Sequence, residues 1–141
     1  MTETPEVRRV QSDSPWEEQF GFARAVAAGD RVHVAGTMPF VGTVLHGEGD
    51  PYEQARVAFS NALAALEEFG LDAGSVVRVR IYLTHTRDMD EAGRAHKEFF
   101  DAARPATTMV VVSGFMDPRV LVEVELEAFR AFRAFRGARE Q

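Results

Sequence analysis

The chain has 141 residues, enough for one domain with a real core, and its composition of 45% hydrophobic and 27% charged residues is ordinary for a soluble globular protein. Its 22 acidic and 16 basic residues give a net charge of −6, which repels phosphate backbones and argues against broad nucleic-acid binding. With no cysteine anywhere, a disulfide framework, a thiolate nucleophile and a thiolate metal site are all excluded.

The N-terminal stretch MTETPEVRRVQSDSP has no apolar core of a secretory signal, and no apolar run approaches the roughly 18 residues of a membrane span. Both observations predict a cytoplasmic protein with no membrane partner. Residues 1–15, with Pro5 and Pro15, read as a flexible arm with room for a short edge strand. From Phe20 to Val26, Phe22, Arg24 and Val26 alternate with Ala23 and Ala25, which predicts a strand closed by a turn at Gly29-Asp30. Arg31–Thr37 follows as its hairpin partner, with Val32 and Val34 on one face. Residues 38–49, holding Pro39, Gly42, Gly47 and Gly49, read as a loop.

A helix then has clear boundaries. Asp50 is a good N-cap, Pro51 suits the first helical position, Glu53 stands where a capping box needs it, and Gly70 supplies a left-handed stop. Ala55, Ala58, Phe59, Ala62, Leu66 and Phe69 form its apolar stripe. Ser75–Leu83 reads as a strand, with Val77, Val79, Ile81 and Leu83 on one face and Arg78, Arg80 and Tyr82 on the other. A second helix is predicted from Asp88 to about Ala103, burying Ala92, Ala95, His96, Phe99 and Ala103, and Pro105 breaks it. Thr107–Val112 is nearly continuously apolar, as a strand buried on both faces would be. Val120–Phe129 closes the domain, with Val122, Val124 and Leu126 alternating with Glu123, Glu125 and Glu127.

The order β-β-α-β-α-β-β supplies two helices, which cover one face of the sheet. The other face is expected to keep apolar residues and to need another subunit. Residues 16–129 form the domain in this reading. From Phe129 into the tail over 130–141, Phe129, Phe132 and Phe135 and Arg130, Arg133, Arg136 and Arg139 recur in threes, a period that suits neither a strand nor a straight helix face. Two readings stay open there: a frayed terminus or short helix, or a contact to a partner or anionic surface.

The segments FARAVAAGDRVHVAGT, GDPYEQARVAFSNALAALEEFG, VVRVRIYLTH, HKEFFDAARPATTMVVV and LVEVELEA, in this order and spacing, resemble the RidA/YjgF family over roughly residues 20–129. The resemblance implies an α+β, chorismate-mutase-like fold in which a mixed sheet is backed by two helices. It further implies a homotrimer whose sheets pack into a central barrel, with a cleft at each subunit interface. The best-known members hydrolyse reactive enamines and imines, such as 2-aminoacrylate, to keto acids and ammonia. In that chemistry an arginine clamps the substrate carboxylate and a glutamate positions or activates water. No cofactor is implied.

The family's arginine follows a Pro-Ala dipeptide. Here Pro105-Ala106 is followed by Thr107, so the chain resembles a branch without it. A charge-assisted hydrogen bond contributes about 1.5–3 kcal/mol, so a small amino-acid-derived imine is expected to bind weakly. By the same resemblance Glu123 is the catalytic carboxylate. Phe22 stands for a tyrosine, Ala35 for a serine and Gly93 for an asparagine, while the pocket glycine is kept as Gly36. Phe22, Arg24, Ala35, Gly36, Thr37, Thr107 and Thr108 are the expected substrate-binding positions. Arg24 is weighed as a substitute anion anchor against a plain ion pair with a neighbouring carboxylate. Glu123 is weighed against an exposed strand carboxylate, and burial would raise its pKa.

His33, His46, His85 and His96 are scattered and form no metal-ligand pair, so no metal is expected. Ser60, Ser75 and Ser113 lack a nucleophile-elbow context, and Gly42, Gly47 and Gly49 match no nucleotide fingerprint. Phe115, with Trp16 and Phe22, is expected to make the cleft more apolar. The sequence therefore leaves three readings. One is water-mediated deamination of an imine or enamine, with a small-molecule substrate. Another is a non-catalytic small-molecule-binding or stress-protective protein. The last is a pathway-specific cyclase or dehydratase. The family's older endoribonuclease label gains no support from the acidic charge.

Overall fold

The computed structural model describes residues 7–131. The residues given to the N-terminal arm before position 7, and the tail from position 132, lie outside them. The elements are β1 (Val7–Val10), α1 (Pro15–Phe20), β2 (Ala25–Ala28), β3 (Arg31–Thr37), β4 (Phe40–Val41), β5 (Val44–Leu45), α2 (Pro51–Glu67), β6 (Val76–Leu83), α3 (Met89–Phe100), β7 (Ala106–Val111) and β8 (Val122–Phe129). Six strands form one mixed sheet in the order β1-β2-β3-β8-β6-β7, and β4-β5 form a small separate hairpin. Only β6 and β7 run parallel, joined by the α3 crossover that a parallel pair requires.

The strand expected over Phe20–Val26 starts later, at Ala25. The preceding residues form α1, a helix too short to show a 3.6-residue period. Pro15 opens it, and Gly21 ends it at φ +80°, donating its N–H to the Glu17 carbonyl. Ala28 pairs with Arg31 across a Gly29-Asp30 turn with Gly29 at φ +63°, the two-residue hairpin read from the sequence. Within the expected loop over 38–49, the β4-β5 hairpin turns at Gly42, φ +63°.

α2 begins as expected, with the Asp50 side chain accepting from the Glu53 N–H at 3.1 Å. The reciprocal half of the capping box is missing: the Glu53 carboxylate takes two bonds from Arg56, and the Asp50 N–H goes to the Gly47 carbonyl. α3 ends at Phe100, short of Ala103, and Phe100 rather than His96 or Phe99 is its fully buried aromatic.

α2 and α3 cover one face of the sheet. The core there joins Val32, Val34, Val79, Ile81, Leu83, Val122, Val124 and Leu126 with Ala58, Phe59, Ala62 and Leu66 of α2 and Ala92 and Ala95 of α3. Val77 leaves the expected alternation. A register shift between Val76 and Arg78 turns Val76 inward and leaves Val77 exposed.

The uncovered face is more polar than expected. Arg80 bridges Glu127 at 3.1 Å and Glu125 at 4.0 Å, Tyr82 donates to Glu125, and Arg78 donates to Thr108. β7 also departs from expectation. It is an edge strand, exposed at Val110 and Val111 rather than buried on both faces. Among the described residues, no helix is long and apolar enough to cross a membrane.

One buried glutamine fixes the loop that leads into β8. Gln54 of α2 donates to the Gly47 and Arg119 carbonyls at 3.1 and 3.0 Å and accepts from the Leu121 N–H at 2.7 Å. Gln54→Met keeps the volume but leaves the Arg119 carbonyl and the Leu121 N–H unpaired, while the Gly47 carbonyl keeps its bond from the Asp50 N–H. Thermal unfolding is expected to show a loss of about 1–3 kcal/mol, a drop of several degrees in Tm.

Candidate functional site

Glu123 is the second residue of β8 and pairs with Tyr82, which in turn pairs with Val110, so the three share the face away from the helices. β3 carries a bulge opposite. Val34 pairs with Leu126 and Thr37 with Val124, so Ala35 and Gly36 face one residue, Glu125. The bulge brings the Gly36 backbone against the Glu123 side chain. A Cβ at position 36 would stand 2.9 Å from Glu123 Oε2 and 3.1 Å from its Cδ. Gly36 is therefore needed for what lies over it and not for its φ, which is not positive. Gly36→Ala is expected to displace the carboxylate while costing under about 1–2 kcal/mol in fold stability. A crystal structure and a melting curve of that variant check the two halves.

The Glu123 carboxylate accepts no hydrogen bond from any described residue, although its side chain is largely buried. Burial pushes its pKa above the ordinary glutamate value; Arg24 pulls the other way and Glu125 adds to the rise. Such a carboxylate has free acceptor positions for a water and a basicity moved toward neutrality.

Arg24 is held from three sides. Its Nε lies 3.1 Å from Glu17 Oε2, and its Nη1 donates to the Gly36 carbonyl at 2.7 Å and to Thr37 Oγ1 at 2.9 Å. Glu17, in the first turn of α1, is 1% exposed at its side chain. It also accepts from the Gln11 side chain, the Ser12 N–H and the Ser12 hydroxyl. The guanidinium is thus the partner of a buried carboxylate, and its links to Gly36 and Thr37 make it a brace for the bulge. The Thr37 hydroxyl in turn donates to the Ala35 carbonyl.

These groups border one cavity of about 980 Å³. Of the expected residues, Phe22, Arg24, Gly36, Thr37 and Glu123 line it, and Ala35 does not. Phe22 and Arg24 stand side by side as expected, with the guanidinium carbon 5.7 Å from the Phe22 ring centre, although neither lies in a strand.

Thr107 and Thr108 fall elsewhere. Thr107 pairs with Val79, a core residue, so its side chain takes the helix side, where its hydroxyl lies 2.9 Å from His96 Nε2. Thr108 is held by Arg78. Within one chain, neither threonine holds a water on Glu123. Gly93 also faces the helix-side packing, near Met109. Burial lowers the pKa of His96. Among the described residues, no cluster of three His, Cys, Asp or Glu side chains could hold a metal.

Sequence reasoning missed Glu17, the Gln11-Ser12 pair that caps it, and Asn61, whose amide donates to the Met38 and Phe40 carbonyls and ties β4 to α2. Pro15 with Gly21 is a start-and-stop signal that could have revealed α1 and so Glu17. The expected apolar lining is present: Trp16, Phe22 and Phe115 all border the cavity, joined by Phe40, which meets Trp16 edge-to-face at 6.0 Å.

Residues 15–130 match the family described as Endoribonuclease L-PSP. An uncharacterized protein of Streptomyces coelicolor is 67% identical over 124 residues, 88% of this chain and 92% of that protein. A 2-iminobutanoate/2-iminopropanoate deaminase of Dermatophagoides farinae is 30% identical over 105 residues, 74% of this chain and 81% of the enzyme. The crystal structure of Rv2704 from Mycobacterium tuberculosis, a member of the YjgF/YER057c/UK114 family, is similar with a TM-score of 0.81 and 36% identity, covering 88% of this chain and 99% of that one.

Proposed function

Because the chain belongs to the YjgF/RidA family, described as Endoribonuclease L-PSP, we propose that it hydrolyses the C=N bond of a reactive imine or enamine, with Glu123 holding and deprotonating the attacking water. One observation carries this reading. Glu123 borders a cavity as a largely buried carboxylate with no hydrogen-bond donor among the described residues. An acceptor with no protein donor, set beside a glycine and with its pKa raised by burial, suits a general base that must release its proton again. The mite relative's name as a 2-iminobutanoate/2-iminopropanoate deaminase supports the reaction class.

The working form is proposed to be a homotrimer in the cytoplasm, with the cavity completed by a neighbouring subunit. The edge strand β7, exposed at Val110 and Val111, supports that assembly. In that assembly Thr107 and Thr108 belong to the cleft of the adjacent chain. Their separation from Glu123 within one chain is the reason for this assignment.

The test is ammonia release from imines made in place by an amino-acid or amine oxidase, with the protein's mass followed by light scattering. Acceleration over buffer at a mass three times the 15.6 kDa of the chain is the expected result. No acceleration with any imine counts for a binding protein without catalysis.

A further inference from the structure

The charges around the cavity do not suit an acid substrate. Four carboxylates line it, Asp13, Glu68, Asp117 and Glu123, against two guanidiniums, Arg24 and Arg119. Both cations are already paired with a carboxylate. Arg119 is bound in a two-point fork to Asp117 at 3.1 and 2.8 Å, and Arg24 is spent on Glu17 and the β3 bulge. Asp13 and Glu68 have no cationic partner among the described residues. The lining that one chain supplies is therefore net negative, the reverse of a site that clamps a carboxylate.

The walls are aromatic. Trp16, Phe22, Phe40 and Phe115 come from four separate segments of the chain to one space. At about 980 Å³ that space lies at the upper end for bulky ligands, and a short 2-imino acid would leave most of it to water. Aromatic faces attract cations and stack on flat rings.

We infer that this cavity takes a ligand without a carboxylate, in which an aryl or similarly bulky apolar group is joined to a neutral or cationic C=N carbon. The ligand class stands on the cavity itself; that such a molecule is the substrate rests on the hydrolytic reading above. For an aryl iminium the steps balance as follows. Water adds through oxygen to the iminium carbon, one of its protons passes to Glu123, and the C=N π pair moves to nitrogen, giving a neutral carbinolamine. Glu123 returns the proton to that nitrogen. The C–N bond then breaks with its pair on nitrogen, and the hydroxyl oxygen forms C=O as its proton leaves to the released amine. The products are an aldehyde or ketone and an ammonium ion.

Trp16 is the only tryptophan of the chain and lines the cavity, so its fluorescence reports occupancy. The probes are benzamidinium, a planar aryl cation shaped like an aryl iminium, and benzoate, the same ring bearing a carboxylate. On the full chain, benzamidine should change Trp16 emission saturably and bind at least tenfold tighter than benzoate. The Asp13→Asn/Glu68→Gln variant should narrow that gap. Equal or tighter binding of benzoate overturns the inference, as does no saturable binding of benzamidine by fluorescence or calorimetry.

A second arm compares the imine made from benzylamine by an amine oxidase with that made from alanine by an amino-acid oxidase. Greater acceleration with the benzylamine imine supports the inference. A preference for the alanine imine overturns it and leaves the hydrolytic reading standing. Selective benzamidine binding with neither imine accelerated sinks the hydrolytic reading and keeps the ligand class.

Discussion

Glu123→Gln is expected to remove the hydrolytic rate enhancement while leaving the protein folded and more heat-stable at neutral pH. The loss should be at least about 10²-fold, the usual contribution of a positioned acid–base group, because the amide keeps the shape but cannot take a proton from water. The gain in stability follows from linkage. Burial raises the Glu123 pKa in the folded chain above its unfolded value, so the folded state prefers the neutral carboxyl. Its favourable contribution is fully present below the unfolded pKa and is lost as pH rises through the folded pKa. At neutral pH the wild type therefore carries a desolvated charge that the glutamine variant lacks. Melting curves should show the variant ahead at pH 7 and the gap closing toward acid. A variant that is both inactive and less stable at pH 7 would mark Glu123 as a structural group.

Arg24→Ala should be the most damaging single change outside the apolar core. It leaves Glu17, 1% exposed at its side chain, with only the Ser12 and Gln11 donors. Removing one partner of a buried pair costs about 3–5 kcal/mol. It also frees the Gly36 carbonyl and Thr37 hydroxyl, so the bulge that brings Gly36 to Glu123 loses its brace. Replacing both members, as in Glu17→Gln/Arg24→Met, removes the stranded charge and should recover much of the stability. Denaturant unfolding of the single and double variants measures the difference. If the double is as unstable as the single, the damage comes from the brace and not from the buried charge.

The main helices and central strands were legible because their signals are local and redundant. Asp50, Pro51 and the apolar stripe Ala55, Ala58, Phe59, Ala62 and Leu66 specify α2, and strict alternation from Val122 to Leu126 specifies β8. α1 was not legible. Its six residues hold less than two turns, and the alternation of Phe22 and Arg24 imitates the start of a strand. Val77 was misplaced because a bulge shifts the period by one residue, and alternation alone carries no mark of it.

Resemblance picked out Glu123, Gly36 and Phe22 for the site, and the fold brings them to one cavity. Thr107 was harder. By resemblance it stands in the place of the family's arginine, but the parity of β7 turns it to His96, on the opposite face of the sheet from Glu123. Glu17 has no sequence signature of burial at all. Its role arises from a strand, a helix and a bulge meeting in space.

The most direct test follows the side-chain carboxyl carbon of Glu123 by NMR through a pH titration, identified by its absence in Glu123→Gln. The account predicts a midpoint above that of an ordinary glutamate, climbing further in Glu17→Gln/Arg24→Met once the opposing cation is gone. A midpoint at or below the ordinary value would mean that the carboxylate is well solvated or already paired, and its part as the water-activating base would fall.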